Sequence, residues 1–162
     1  MHAGREAMTW KTALSGAAVI VGVLIASDAS AQASASCTIS TTSVVFGNYN
    51  VFNGSALDST GTVTYRCNPQ TQSITISLSK GQSSTYSPRW MNQGGEQLTY
   101  DLFTNAGRTT IWGDGTGGTS VYSDPNPPKN INVNITVYGR VPAGQDVSAG
   151  SYSDTVSATI NF

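Results

Sequence analysis

Charge is the scarcest property of this chain. Only 10% of its 162 residues are Asp, Glu, Lys or Arg, against about 25% in an ordinary soluble domain. No run of charge exceeds a dipeptide, and the formal net charge is −1. There is therefore no basic surface to neutralise phosphates, which excludes nucleic acid and anionic membrane as partners. Histidine is nearly absent as well: His2 is the only one, in a segment expected to be cut away. Without it, a Ser-His-Asp or Cys-His arrangement and zinc-ligand spacing are excluded. Carboxylate pairs such as Asp101 with Asp154 have no sequence relation that places them at the separation glycoside hydrolysis needs. The glycine-rich stretch at residues 113–118 lacks the closing Lys-Ser/Thr of a phosphate loop. Asp114 and Asp124 lack EF-hand spacing. The reading is therefore no enzyme, no catalytic residue, no metal and no cofactor.

What is present begins with an export signal. Arg5 and Lys11 precede an apolar run at residues 13–26, and the small-residue string Ala29-Ser30-Ala31-Gln32-Ala33 follows. A positive start, an apolar core and an A-x-A site make a signal peptide over residues 1–33, cut after Ala33 or Ala31. Met8 is an alternative start. The apolar run falls short of the ~20 residues a membrane helix needs, so no span is expected after processing. Cys37 and Cys67 are the only cysteines. In an oxidising destination a disulfide is the default reading, and closing that loop contributes roughly 3 to 4 kcal/mol. A metal-binding or reactive thiol would instead need a His or acidic partner.

From Cys37 onward apolar and aromatic residues alternate with Thr, Ser and Asn, and no helical window occurs. Val44, Phe46, Tyr49 and Phe52 follow the first cysteine, interrupted at Gly47. Val63, Tyr65 and Cys67 share one face of the next strand; Ile74, Ile76 and Leu78 form another, ending at Lys80-Gly81. Leu98, Tyr100 and Leu102 mark a fourth, continued by Thr109 to Trp112. Ile131, Val133, Ile135 and Val137 alternate most cleanly, and Tyr152, Val156, Ala158, Ile160 and Phe162 finish the chain. Two loops, residues 81–95 and 113–129, read as surface excursions. Trp90, Met91 and Trp112 stand at their borders, where an exposed aromatic would grip a sugar or an abiotic surface. About seven short strands imply a single all-β, immunoglobulin-like sandwich, although the Cys…Trp…Cys spacing of antibody domains is missing. Periodicity alone leaves two outcomes open at the final strand: a sheet closed by its own strands, or an unfilled apolar edge.

Five local patterns bear on that choice: Cys37-Thr38-Ile39 leading to Phe46-Gly47; Val63-Thr64-Tyr65-Arg66-Cys67; Leu98-Thr99-Tyr100-Asp101-Leu102-Phe103; Tyr138-Gly139-Arg140-Val141-Pro142-Ala143-Gly144-Gln145; and Gly150-Ser151-Tyr152-Ser153-Asp154-Thr155-Val156 before the terminal Ile160-Asn161-Phe162. Together they resemble the spore coat protein U family, which contains the pilin subunits of archaic chaperone-usher pili, over essentially all of residues 34–162. The resemblance implies an incomplete immunoglobulin-like β-sandwich with one disulfide, Cys37 with Cys67, tying the first two strands. It implies a missing strand supplied in trans by a periplasmic chaperone and then by a neighbouring pilin-like subunit, after export through an outer-membrane usher to a surface fibre or coat. Main-chain hydrogen bonds and alternate apolar side chains would hold that strand. Ile160 and Phe162 would then border the groove, the Phe162 carboxylate being the group a chaperone anchors. Tyr152 would be a core aromatic and Asp154 a turn or backbone acceptor. Gln32-Ala33-Ser34-Ala35-Ser36 is too short and too small to fill a groove, so a strand acceptor at a tip or fibre end is expected. The alternative is a self-contained secreted adhesin or carbohydrate-binding module, with Trp90 and Trp112 as surface contacts.

N-terminal sequencing of the exported protein is expected to begin at Ser34 or Gln32; exported protein that retains the apolar run would remove the signal-peptide reading.

Overall fold

The computed structural model describes residues 35–68 and 73–162, all within one unit spanning Ala33–Phe162. The expected signal peptide lies outside the described residues. Period-2 patterning with β-branched and aromatic residues on the inner face builds strands throughout. The first two are β1, Cys37–Thr42, and β2, Leu57–Cys67. They pair antiparallel with Cys37 directly opposite Cys67, and a disulfide joins the two. β3 is Ile74–Leu78, whose Ile74, Ile76 and Leu78 are all buried.

The next three strands are β4 at Arg89–Gln93, β5 at Glu96–Phe103 and β6 at Tyr122–Asp124. β7, Val133–Val141, carries the cleanest alternation, and β8, Ala158–Asn161, is the last strand. One sheet has the order β1-β2-β7-β5-β4 and the other β6-β3-β8. Inner residues of both meet in one core that includes Val63, Tyr65, Ile76, Leu102 and Val137. The described residues contain no helix.

Two expectations need correction. The loops at 81–95 and 113–129 are not bare excursions, since the first contains β4 and the second β6. β4 reads Arg-Trp-Met-Asn-Gln, and its polar inward residue hid the alternation. Arg89 is 0% exposed. Its guanidinium donates to the carbonyls of Ser79 (3.1 and 3.0 Å), Tyr86 (3.0 Å) and Trp112 (2.7 Å). Burial lowers its pKa, yet those acceptors satisfy the buried charge, as a buried guanidinium requires. Trp112, expected as a surface contact, is also 0% exposed. Its indole N–H donates to the Ile76 carbonyl at 2.9 Å, and its ring packs beside Tyr122. The hydrophobic ring found a complete enclosure with a partner for its one polar atom, so it offers nothing to an external ligand.

The substitution Trp112→Ala is expected to lower unfolding free energy by roughly 3 to 5 kcal/mol, as for large buried aromatics generally. Joint Cys37→Ser and Cys67→Ser replacement, which opens a 30-residue separation, should lower it by about 3 kcal/mol. Urea denaturation of each variant measures both.

Candidate functional site: an open groove between two unpaired walls

Beyond Thr42, residues 43–51 join no strand ladder, and the backbone bends at Gly47, where φ is +78°. Val44, Phe46 and Tyr49 turn inward against the core. The stretch at 147–157, leading into β8, behaves alike: Val147, Tyr152 and Val156 pack on the core, and no strand is formed. Between these two walls runs a groove of about 1080 Å³. Its floor is the inner face of the first sheet, with Leu98, Tyr100 and Leu102 from β5, Val137 and Val141 from β7, and Met91 from β4.

The first wall lies close to the floor because two floor positions are glycine. A Cβ at Gly61 would come within 2.9 Å of Val44, and one at Gly139 within 2.7 Å of both Val44 and Phe46. Both side chains therefore rest on bare backbone. Ser59 Oγ donates to the Val45 carbonyl at 2.6 Å. Farther along, the Tyr49 hydroxyl donates to the Pro142 carbonyl at 3.0 Å and accepts the Gln145 N–H at 2.8 Å. Gln145 is fixed in turn: its Oε1 accepts the Thr99 N–H at 2.7 Å, and its Nε2 donates to the Thr99 carbonyl at 2.9 Å. The side-chain amide stands in for a neighbouring strand there.

The second wall is held from its far side. Asn92 and Ser153 exchange backbone hydrogen bonds at 2.9 and 3.3 Å, and the Ser79 N–H donates to the Ser157 carbonyl at 2.9 Å. In an antiparallel ladder successive residues direct their N–H and C=O to opposite sides. The backbone groups of Asp154 and Val156 therefore turn toward the groove. Asp154 Oδ1 accepts the Gln82 N–H at 2.9 Å and its Oδ2 accepts the Tyr100 hydroxyl at 2.6 Å. Glu96 accepts from the Ser148 N–H (2.7 Å), the Ser148 hydroxyl (2.6 Å) and the Tyr152 hydroxyl (2.8 Å). The Ser148 bonds, then that of Tyr152, hold the Glu96 pKa below its ordinary 4.5. Burial, and then Asp154, push the Tyr100 hydroxyl well above the usual tyrosine range, so it acts as a donor.

Ile160 lies in β8 opposite Ile76, half-buried against the core, and Phe162 is 55% exposed. Neither lines the groove, whose last residue on that wall is Ala158. Trp90 is half-buried in β4 opposite Thr99, its N–H accepted by Ser83 Oγ at 2.7 Å. The wall residues were visible in the sequence as alternation after Cys37 and before Ile160. What periodicity could not reveal is that nothing fills the space between them. Among the described residues no three His, Cys, Asp or Glu side chains cluster as metal ligands.

The Spore Coat Protein U domain model matches residues 24–159. This chain belongs to that family. Over 67 residues the spore coat protein U domain described here is 42% identical to Protein U of Myxococcus xanthus, a match covering 41% of this chain and 35% of that protein. Among solved structures it is similar to a pilus subunit in the CsuC-CsuE chaperone-tip adhesion subunit pre-assembly complex, from the archaic chaperone-usher Csu pili of Acinetobacter baumannii. That likeness has a TM-score of 0.59 and 26% identity, and covers 79% of this chain and 40% of the other. The chain thus spans about a third of Protein U and two fifths of the Csu chain. The all-β, single-disulfide architecture is a chaperone-usher pilin fold.

Because the Glu96 pKa is lowered in the folded protein, its contribution to holding the second wall is present above the ordinary carboxylate range and lost as pH falls through the lowered value. The protection factor of the Ser148 amide, which corrects for the intrinsic slowing of amide exchange in acid, should therefore fall on acidification through that range, and Glu96→Gln should remove most of that fall. A Ser148 protection factor indifferent to pH in the parent protein would contradict this.

Proposed function

We propose that this chain is an exported structural subunit of a surface fibre of the chaperone-usher type or of a spore or cell coat, and that its groove receives an extended strand from another chain. The observation that carries this is the pair of walls at 43–51 and 147–157, whose Val44, Phe46, Val147 and Val156 pack on the core while neither segment joins a strand ladder across the groove. A strand laid between them would gain ladder hydrogen bonds on both sides and bury alternate apolar side chains against Leu98, Leu102, Val137 and Val141. The donor would be a periplasmic chaperone first, with an outer-membrane usher receiving the complex, and a neighbouring pilin-like subunit afterwards. Membership in the spore coat protein U family and similarity to a Csu pilus subunit support this reading. They also favour a structural role over catalysis and a destination at the cell surface.

Strand uptake has a direction. Gln32-Ala33-Ser34-Ala35-Ser36 ahead of Cys37 contains no bulky apolar side chain, and donor strands need several such anchors. The chain therefore accepts a strand without passing one on, which suits a tip, a fibre end or a coat. Ile160 in β8 and Phe162 just after it, beyond the second wall, belong to the surface a donor's parent domain would cover.

A synthetic peptide with apolar residues at alternate positions, at a hundred times its dissociation constant, should stabilise the purified protein by about 2.7 kcal/mol. That corresponds to a melting-point rise on the order of 10 °C for a domain this size. Reversible monomeric unfolding at one temperature, with or without peptide or chaperone, would instead indicate a self-contained module.

A further inference from the structure

Tyr100 lies in the groove floor and is held from both walls at once. From the first wall, the Phe46 ring meets it edge-on, with 5.9 Å between centroids and 63° between planes. From the second, Asp154 Oδ2 accepts its hydroxyl at 2.6 Å. Neither grip is loose. Phe46 rests on Gly139, where even a methyl group would lie 2.7 Å from its ring. The other Asp154 oxygen is engaged by the Gln82 N–H at 2.9 Å and by the Thr155 N–H at 2.7 Å. Phe46, Tyr100 and Asp154 all line the groove, and together they form one continuous link from wall to wall.

Such a link has a use that core packing alone does not. In a complete sheet the backbone ladder sets the spacing between strands, at about 4.8 Å per strand. Here the walls are separated by an empty strand position, and no ladder sets their distance. We propose that Tyr100 is a positioning residue for strand uptake, its ring and hydroxyl holding the two walls of the empty groove at the separation an incoming strand requires. This rests on the strand-acceptor reading above. Once a strand is in place its own N–H and C=O groups join the walls, and the side-chain link becomes redundant. Losing the link therefore slows association and leaves dissociation nearly unchanged, because the ordering cost falls on the empty groove and not on the filled one.

The test is stopped-flow association of a dye-labelled twelve-residue peptide of alternating valine and threonine with the purified protein. Tyr100→Phe keeps the ring and removes the hydroxyl; Asp154→Asn removes the charge that receives it. Each is expected to lower the association rate per folded molecule about tenfold, the usual scale for a hydrogen bond to a charged group. Dissociation should stay nearly unchanged, because the filled groove no longer uses the link. The double variant should be no slower than either single one, because the two residues act as a unit. If Tyr100→Phe does not fold, Asp154→Asn and Phe46→Leu carry the test, the latter loosening the opposite wall with the same loss of association rate. A purely structural role would lower melting temperature without changing association per folded molecule. Wild-type protein that takes up no peptide would overturn the acceptor reading and this one with it. Uptake by the wild type at a rate the variants match, or a loss confined to dissociation, would overturn the positioning role alone.

Discussion

A β-sheet is stable only when the backbone groups along its strands find partners, and this constraint organises the whole molecule. Where it is met, as between β2 and β7, nine consecutive residue pairs run from Leu57↔Val141 to Tyr65↔Val133. At the walls of the groove it is not met in full: residues 43–51 join no ladder, and the stretch at 147–157 makes its backbone pairs on the far side, at Ser153 and Ser157. Leaving such groups buried without partners costs on the order of 1 to 3 kcal/mol each. The groove stays open to solvent, so water serves those groups, and on the proposed reading an incoming strand would replace it. The apolar floor adds a second drive in the same direction, because the surface of Leu98, Leu102, Val137 and Val141 gains about 25 cal/mol for each Å² removed from water.

The rest of the fold can be understood as support for that vacancy. Side chains take over tasks that backbone performs elsewhere. Gln145 pairs with both backbone groups of Thr99 as an adjacent strand would. Glu96 gathers Ser148 and Tyr152, and Asp154 binds the wall to Gln82 and Tyr100. The disulfide closes the ladder at the start of β1, just upstream of the wall that has no neighbour. Arg89 bridges the carbonyls of Ser79, Tyr86 and Trp112 beneath the long loops, ordering segments that contain few apolar residues. Each is a directional bond at a place where the sheet cannot supply its own.

Much of this was legible in the residues. The alternation of Val63, Tyr65 and Cys67, of Ile74, Ile76 and Leu78, and of Ile135 and Val137 marks inner faces that are all buried, since period 2 leaves a strand only one way to bury its apolar side. The family resemblance implies structural roles for Tyr152 and Asp154, and in the folded chain the Tyr152 hydroxyl donates to Glu96 while Asp154 accepts from Gln82 and Tyr100. Less legible were β4 and β6. Arg89 points inward, and β6 is three residues long, so neither has the alternation that identifies a strand. Trp112 was misplaced because a tryptophan beside a glycine-rich loop carries no local sign of whether other segments close over it. Its enclosure comes from β3, 36 positions upstream at Ile76, and from Tyr122 on the far side of the glycine-rich loop.

The sequence by itself determined an all-β chain with one pair of cysteines and a single histidine, because composition and period-2 patterning are local properties. Only the tertiary structure decided that residues 43–51 and 147–157, whose alternation resembles that of ordinary strands, stand apart with an open groove between them. Alternation specifies which side of a strand is buried. Which neighbour it pairs with, or whether it has one, depends on long-range placement of backbone that no local pattern encodes.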